Sequence, residues 1–535
     1  MKKTIILTLL SLMNLITVFG QDAMVYNETK PESELHAAIN PLDTNNIIVA
    51  AINGFSQGNA PGNLSVYYTI DFGNSWQKSS FHGIPANHVG AGDPVLRFDN
   101  SGNAYLVNLS SDISSGAPII HTVISYSTDK GATWQSIISN NGETDKPWLS
   151  VDNNPTSPYA GYKYIPTVEL IGNDNKIILT VLNNTNSVVT NSVNIFPDLT
   201  SPHLPCTEIN SNGDVFISAH NNNTQSLVIA RSTDGGMSFG TYSTITTIQL
   251  DNDTDHIIGI SDRMQCSPYM AIDKSGGSYN NRIYMTYTDL ESGSTGGSNT
   301  ILDTYLTWSD NDGTSWTAPK TIHSGATSNT QQYYSNIYVN NDGELLLGWY
   351  DRRDDLTHKM ADYYIGISTD GGNTIKEVKV SSSASDFSNI GTQNEGFGIG
   401  EYCQLVATDN IAVPFWADGR TNDGDINIYF TKIDINNPTA AIHEISSISD
   451  KINLSVYPIP IIDNATVNVT LKQDSKLKWT LFDINGKEIS SSNLKHYTEG
   501  KTKIEMPLKA LQSGIYFIQF TSDNNFIKTV KIIKQ

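Results

Sequence analysis

The chain is short of cysteine, short of charge and nearly without arginine, and each shortage excludes something. Three cysteines in 535 residues (Cys206, Cys266 and Cys403) are too few and too widely spaced for a disulfide framework. They read as small buried residues, with a single disulfide as the alternative. No Cys-x-x-Cys or His-x-x-x-His pair is present, which removes the common zinc spacings. Charged residues make up only 16% of the chain, and the formal net charge is -21. An acidic surface repels phosphate backbones and anionic lipid, so no nucleic acid or membrane surface is expected as partner. A local basic patch could still receive an anionic sugar. Past the N-terminus no apolar run is long enough to cross a bilayer, so the mature protein is read as a monomer without membrane insertion.

What is present is Asn, Ser, Thr, Gly and Tyr, a composition of β-rich secreted proteins. Lys2 and Lys3 precede the apolar run IILTLLSLMNLITVFG, so residues 1–20 read as a cleaved signal peptide. A box of the form Ser/Thr-x-Asp-x-Gly-x-x-Trp then recurs. Its copies are TIDFGNSW (69–76), STDKGATW (127–134), STDGGMSF (232–239), SDNDGTSW (309–316) and STDGGNTI (368–375). The Asp or Asn oxygen can accept the backbone N–H groups of its own turn. The Gly can take a positive φ, and the terminal aromatic can pack on neighbouring strands.

A second repeat runs with the first, two short strands rich in Tyr, Val, Ile and Trp joined by a polar turn. It occurs at 36–54, 94–110, 147–168, 205–221, 268–289, 336–353 and 404–420. That makes seven units at intervals of roughly 50–70 residues, a period in the range of propeller blades. The third unit has KIILTVLNNTN (176–186) where a box is due, and the seventh ends in DINIYFTKID (425–434), also without one. Such units cannot bury their faces alone and must close into a ring.

On these residues the chain resembles the Asp-box, or bacterial neuraminidase repeat, proteins, which include the sialidases. The resemblance implies that the box joins the two outer strands of a blade, on the face opposite the active site. The box therefore reads as a joint rather than a catalytic motif. The expectation is an all-β protein, with a seven-bladed β-propeller over residues 21–437. Six blades, the sialidase number, is the alternative if one irregular unit is misread.

After a linker at 438–452 the pattern changes. NLSVYPIPIIDNATVNVTL (453–471), WTLFDINGKEI (479–489) and SGIYFIQFTSDNNFIKTVKIIKQ (513–535) are alternating strands with an Asn-Gly hairpin signal. Their order resembles the type A sorting domain of the type IX secretion system. That resemblance implies a small C-terminal β-sandwich at 453–535, a partner in the secretion machinery of a Bacteroidetes-type bacterium, and release or surface attachment of the cargo.

If the box lies on the lower face, two loop sets converge on the upper one, where a rigid scaffold presents function. The loops leading into the innermost strands hold Glu34, Asp93, Asp145, Lys146, His203, Arg263, Gln265, Tyr333, Glu401 and Tyr402. The loops joining second to third strands hold Asp112, Glu169, His220, Asp289, Asp351, Arg352, Arg353, Asp418 and Arg420. WYDRRDD (349–355) and FWADGR (415–420) share an aromatic-x-Asp arrangement with Arg at equivalent places. They read either as Arg clamps for a sugar carboxylate or sulfate, or as Asp–Arg braces between blades. Arg263, Arg352, Arg353, Arg420, Asp351, Asp418, His203 and His220 are thus the candidate substrate-binding residues.

Sialidases use a tyrosine nucleophile assisted by a glutamate. The resemblance implies Glu401, Asp93, Tyr350 and Tyr402 as catalytic candidates. Neighbours on a strand point to opposite faces, which favours Tyr350 or Tyr333 over Tyr402 as the partner of Glu401. The family's Phe/Tyr-Arg-Ile-Pro signature is absent, since HGIPANH (82–88) keeps Ile-Pro without Arg. Three readings stay open: a glycoside hydrolase on a glycan, a polysaccharide lyase on a uronate-containing glycan, and a non-catalytic glycan- or protein-binding propeller. No cofactor or metal is called for, although the acidic loop DNDTD (251–255) offers the oxygen ligands that calcium takes. If the sorting reading holds, a chain ending near residue 440 should stay inside its native host. Its appearance in the medium, measured by immunoblot, would contradict the reading.

Overall fold

The computed structural model describes residues 22–438 and 452–534. Within these it leaves out 29, 55–62, 82, 115–118, 140–141, 173, 251–264, 292–300, 325–329, 356, 358, 388–398, 422–423, 458–460, 472–473, 484–486, 510 and 523–524. The expected signal peptide, Arg263, the DNDTD loop, the Asn-Gly turn and most of the expected linker lie outside the described residues. Among the described residues there are strands and turns and no helix. Two units separate, Met1–Ile442 and His443–Gln535.

Among its described residues the first unit holds seven antiparallel sheets. The chain builds each outward. In sheet one Glu32–Ile39 pairs with Ile47–Asn53, which pairs with Asn63–Thr69, which pairs with Gln77–Lys78. The innermost strands of sheets two to seven are His88–Phe98, Ser150–Val151 with Thr144–Asp145, Pro202–Ile209, Tyr269–Ile272, Gln332–Val339 and Gln404–Ala407. Each packs against the next, and Gln404–Ala407 returns to Glu32–Ile39. This closed ring of face-packed sheets is a β-propeller.

The second strand of each sheet is covered on both faces by its neighbours. Ile47–Asn53 (IIVAAIN) and Leu345–Asp351 (LLLGWYD) are therefore buried throughout and read as continuous apolar runs rather than alternating ones. The large rings Trp349 and Trp416 are buried in the same layer. Each such side chain contributes roughly 1.5–3 kcal/mol on leaving water.

The seventh sheet explains its own missing box. Its outermost strand is Ala23–Met24, from the start of the described chain, paired with Tyr429 and Phe430. The outer strand does not follow Asn427–Phe430 in sequence, so no third-to-fourth hairpin exists there. In sheet three the outer strand Val188–Asn194 follows Lys176–Leu182 through a turn organised by Asn183 instead of a box.

Each box is a closed local network. In STDKGATW, Ser127 Oγ donates to Asp129 Oδ1 at 2.8 Å, and Asp129 Oδ1 accepts the Thr133 N–H at 2.9 Å. Thr133 Oγ1 donates to Asp129 Oδ2 at 2.6 Å, and Trp134 Nε1 donates to Gly131 O at 3.1 Å. The other four boxes repeat the contact of the third residue with the seventh. Gly131, at φ 93°, does more than turn the chain. A Cβ there would lie 2.7 Å from Ile48 Cδ1 of the preceding sheet. The box glycines Gly73, Gly236, Gly313 and Gly372 likewise face Phe430, Leu179, Ile229 and Leu306, each on the sheet before. The boxes thus lie along the seams of the ring.

The second unit has two sheets, Ile452–Tyr457 with Asn464–Leu471 and Gly500–Pro507, and a second centred on Ser475–Asp483 and Gly514–Ser522. Ala465, Val467, Leu481, Ile518, Phe520 and Ile532 from both sheets share one core.

Asp129→Ala removes three acceptor contacts from an exposed turn and should lower stability by about 1–2 kcal/mol. Chemical denaturation checks this. A mutant of unchanged stability would contradict the seam role of the box.

Candidate functional site

The seven inner strands share a backbone irregularity. Glu34, Asp93, Lys146, Leu204, Ser267 and Tyr334 have left-handed φ values between 42° and 53°, and Gly400 has 68°. One such residue sits near the entrance of every inner strand. In sheets one, two, four and six it coincides with a break in pairing register, as in a bulge. A left-handed non-glycine residue costs about 1–2 kcal/mol, so six of them in one ring mark a place where packing dictates the backbone.

The bulges gather four charged side chains at the axis. Lys146 Nζ contacts Glu401 Oε1 and lies 3.7 Å from Asp93 Oδ2. The Glu34 carboxyl is within hydrogen-bonding reach of both Asp93 and Glu401. All four are buried, Glu34 completely. Two carboxyl groups can share a hydrogen bond only if one holds a proton. Burial, followed by the Glu401 and Asp93 charges, raises Glu34 well above the carboxylate range. Burial also raises Asp93, to about 6, against the pull of Lys146. Burial acts on Glu401 too, but the Lys146 ammonium and the Glu34 hydrogen bond outweigh it and hold Glu401 below its usual value. Lys146 remains charged because Asp93 and Glu401 overcome its own desolvation. The surroundings thus push the two neighbouring carboxyl groups in opposite directions, Glu34 toward the acid and Glu401 toward the carboxylate.

Gly400 makes the contact attainable. A Cβ at that position would stand 2.1 Å from Glu34 Cγ. Below the charged layer, two residues further along the inner strands, His36, Val95, Trp148, Cys206, Tyr269, Asn336 and Tyr402 are all buried. Trp148, Tyr269 and Tyr402 touch one another with ring centroids 5.2–6.3 Å apart. Lys146 Nζ lies 5.3 Å above the Tyr402 ring, and Tyr269 donates its hydroxyl to Glu401 O at 3.1 Å.

The structure brings Glu401, Asp93 and Tyr402 together. It places Tyr350 in the seam between sheets six and seven, where its hydroxyl contacts both the N–H and the carbonyl of Ala417 at 2.9 Å. Asp351 and Asp418 each accept the indole N–H of the tryptophan two residues before them at 2.8 Å. Each also holds the arginine two residues after it. Arg353 contacts Asp351 and, at 2.8 Å, Glu377, and stacks on Tyr364. Arg420 contacts Asp418 and Asp22, each at 2.6 Å, and stacks on Tyr429. Trp-x-Asp-x-Arg is therefore a brace, and Arg420 fastens the segment that closes the ring. Arg352 is buried, with Nη1 donating to Gln331 Oε1 at 2.8 Å. His203 and His220 are cross-strand partners, with His203 3.6 Å from Asp145. Burial, then the His203 charge, lowers His220 to about 4, so it is neutral.

The sequence puts Glu34 and Lys146 on loops leading into inner strands but carries no motif that singles them out. The only signal that points to them is Gly400, next to Glu401, which marks a close backbone approach.

A family model described as a secretion system C-terminal sorting domain matches residues 455–535. The chain therefore carries the export signal of the type IX system of Bacteroidetes and is a secreted or cell-surface protein. No curated protein matches the chain. Among solved structures it is similar to a protein of unknown function from Dyadobacter fermentans, with 13% identity, 77% of this chain and 98% of that one covered, and a TM-score of 0.43. It is also similar to the NanB sialidase of Streptococcus pneumoniae, with 10% identity, 78% and 71% covered, and a TM-score of 0.41. The α-L-arabinofuranosidase of Fusarium graminearum gives 12% identity, 78% and 98% covered, and a TM-score of 0.40. Likenesses of this depth carry no argument about individual residues.

The Glu34 proton has a thermodynamic signature. A carboxyl raised by folding contributes stability that is present below its unfolded value and lost as pH rises through its folded one. Glu34→Gln should remove that loss. The melting temperature of the variant should gain on the wild type as pH rises from 5 to 9. Glu32, raised to about 8 by burial, acts alike in both proteins and cancels. Parallel pH curves would contradict a protonated Glu34.

Proposed function

We propose that the propeller is an extracellular glycan-acting protein, and specifically a glycoside hydrolase working at the charged layer of its axis. The observation that carries this reading is the pair Glu34 and Glu401, adjacent carboxyl groups whose surroundings drive their proton affinities apart. Such a split assigns an acid and a base. Glu34 would deliver its proton to the departing glycosidic oxygen. Glu401, held ionised by Lys146, would take the proton of the attacking water or stabilise the positive charge at the anomeric carbon. Asp93, near 6, would adjust the charge of the set as the proton moves.

One observation favours a second reading, a non-catalytic glycan binder. Glu34 and Glu401 are buried side by side at the axis, whereas hydrolytic carboxyl pairs stand about 5–9.5 Å apart with the sugar between them. A substrate would have to part them on entry. The engagement of Arg353 and Arg420 in braces points away from an anionic sugar under either reading.

The test is release of reducing ends from a panel of plant, host and bacterial glycans by the secreted protein. The hydrolase reading expects product from at least one glycan. It also expects rate losses of about 10²–10⁴ in Glu34→Gln and in Glu401→Gln, the usual worth of a general acid or base. Binding without product in the wild type would leave the binder.

A further inference from the structure

The axis has a second end. On the box face the inner strands surround a cavity of about 630 Å³. Its origin can be read residue by residue. Of the seven positions four residues after the left-handed ones, three are small: Ala38, Ser150 and Ala271. The other four are Arg97, Glu208, Tyr338 and Gln404, and all seven border the space. Three small side chains in a ring of seven leave room that the buried layer above them does not have.

The lining has a definite chemistry. At the inner end are Trp148 and Tyr269, with ring centroids 5.2 Å apart. Trp148 is 6% exposed, and its indole N–H has no hydrogen-bond partner. Around the wall Glu208 lies 3.5 Å from both Arg97 and Lys274. Those contacts are longer than the roughly 2.7–2.9 Å of a direct charge-assisted hydrogen bond. Arg97 donates Nη1 to His36 Nε2 and Leu96 O, at 3.1 and 3.0 Å, so it is chiefly Lys274 and Glu208, joined at 3.5 Å, that can serve something else. The bordering charges cancel, Arg97 and Lys274 against Glu208 and Asp152, so the space does not select an ion.

An aromatic end wall ringed by guanidinium, carboxylate, amide and hydroxyl groups suits a molecule with one apolar face and a rim of neutral hydroxyls. The volume is within the range of about 300–1,000 Å³ usual for small-molecule sites. We propose that the box-face end of the axial channel is a separate binding site for one or two rings of a neutral glycan. It is divided from the Glu34–Glu401 cluster by the buried layer of Trp148, Tyr269 and Tyr402. The site stands whether or not that cluster is catalytic.

The experiment is saturation-transfer NMR and calorimetry on the full propeller with cellobiose, lactose, maltose, xylobiose, mannobiose and arabinobiose as probes. At least one should bind saturably below about 10 mM. Ala271→Leu, which fills the space, and Glu208→Gln, which keeps the shape of the wall, should each weaken that sugar at least about tenfold. Glu34→Gln, at the other end of the axis, should leave it unchanged. Because Ala271→Leu can fail to fold, Glu208→Gln alone suffices to decide. No saturable binding in the panel would overturn the proposal, as would binding indifferent to Glu208→Gln or abolished by Glu34→Gln.

Discussion

Everything in the first unit depends on closure of the ring. No sheet covers its own faces, so the apolar second strands are buried only if seven sheets meet side to side and the last meets the first. Beyond the packing of Glu32–Ile39 on the seventh sheet, that sheet is completed by a short latch, the two-residue strand Ala23–Met24 on Tyr429 and Phe430. Its security comes from charge. Asp22, buried, accepts from Arg420 and from Ser382, which ties the start of the described chain to sheets six and seven together. Removing one partner of such a group would leave a buried charge uncompensated, so this clasp is expected to be the weak point of the ring if cut.

Closure also creates the site. Seven strands brought to one axis leave a narrow space, and the left-handed residues at their entrances fill its upper part. Their side chains come from strands 50 or more residues apart. Three carboxyl groups around a single lysine, out of water, cannot all ionise. Burial and the neighbouring charges favour the proton on Glu34, while Lys146 favours the charge on Glu401. Below them a layer of large side chains seals the axis, and below that three small residues reopen it. Two ends of one channel thus acquire different chemistries from a single strand pattern read at different offsets.

Much of this is legible in the sequence, for local reasons. Asp, Gly and the hydroxyl residues of the boxes act within eight residues, and their turns form as that chemistry requires. The alternation of apolar runs with polar turns marks the repeating strand pairs, and the resemblance to sorting domains rests on ordered motifs in one contiguous stretch. What the sequence hides is long-range. The seventh box is missing because its strand comes from the other end of the chain, which no local motif announces. Glu34 and Lys146 join Asp93 and Glu401 through backbone geometry that, save at Gly400, is adopted by residues with no preference for it. The arginines of WYDRR and FWADGR carry both a clamp and a brace reading in sequence. For Arg353 and Arg420 the aspartates two positions before them decide for the brace, because their oxygens also hold the tryptophan indoles.

Burial and the neighbouring charges push the Glu34 carboxyl well above the usual carboxylate range while Lys146 holds Glu401 below it, so Glu34 is expected to keep its proton at pH 7. Infrared difference spectroscopy of wild type minus Glu34→Gln reports this without any substrate. At pH 7 the difference should contain the carbonyl stretch of a protonated, hydrogen-bonded carboxylic acid, and the band should persist until the pH is well above the usual carboxylate range. A difference spectrum showing only carboxylate bands at pH 7 would contradict the account.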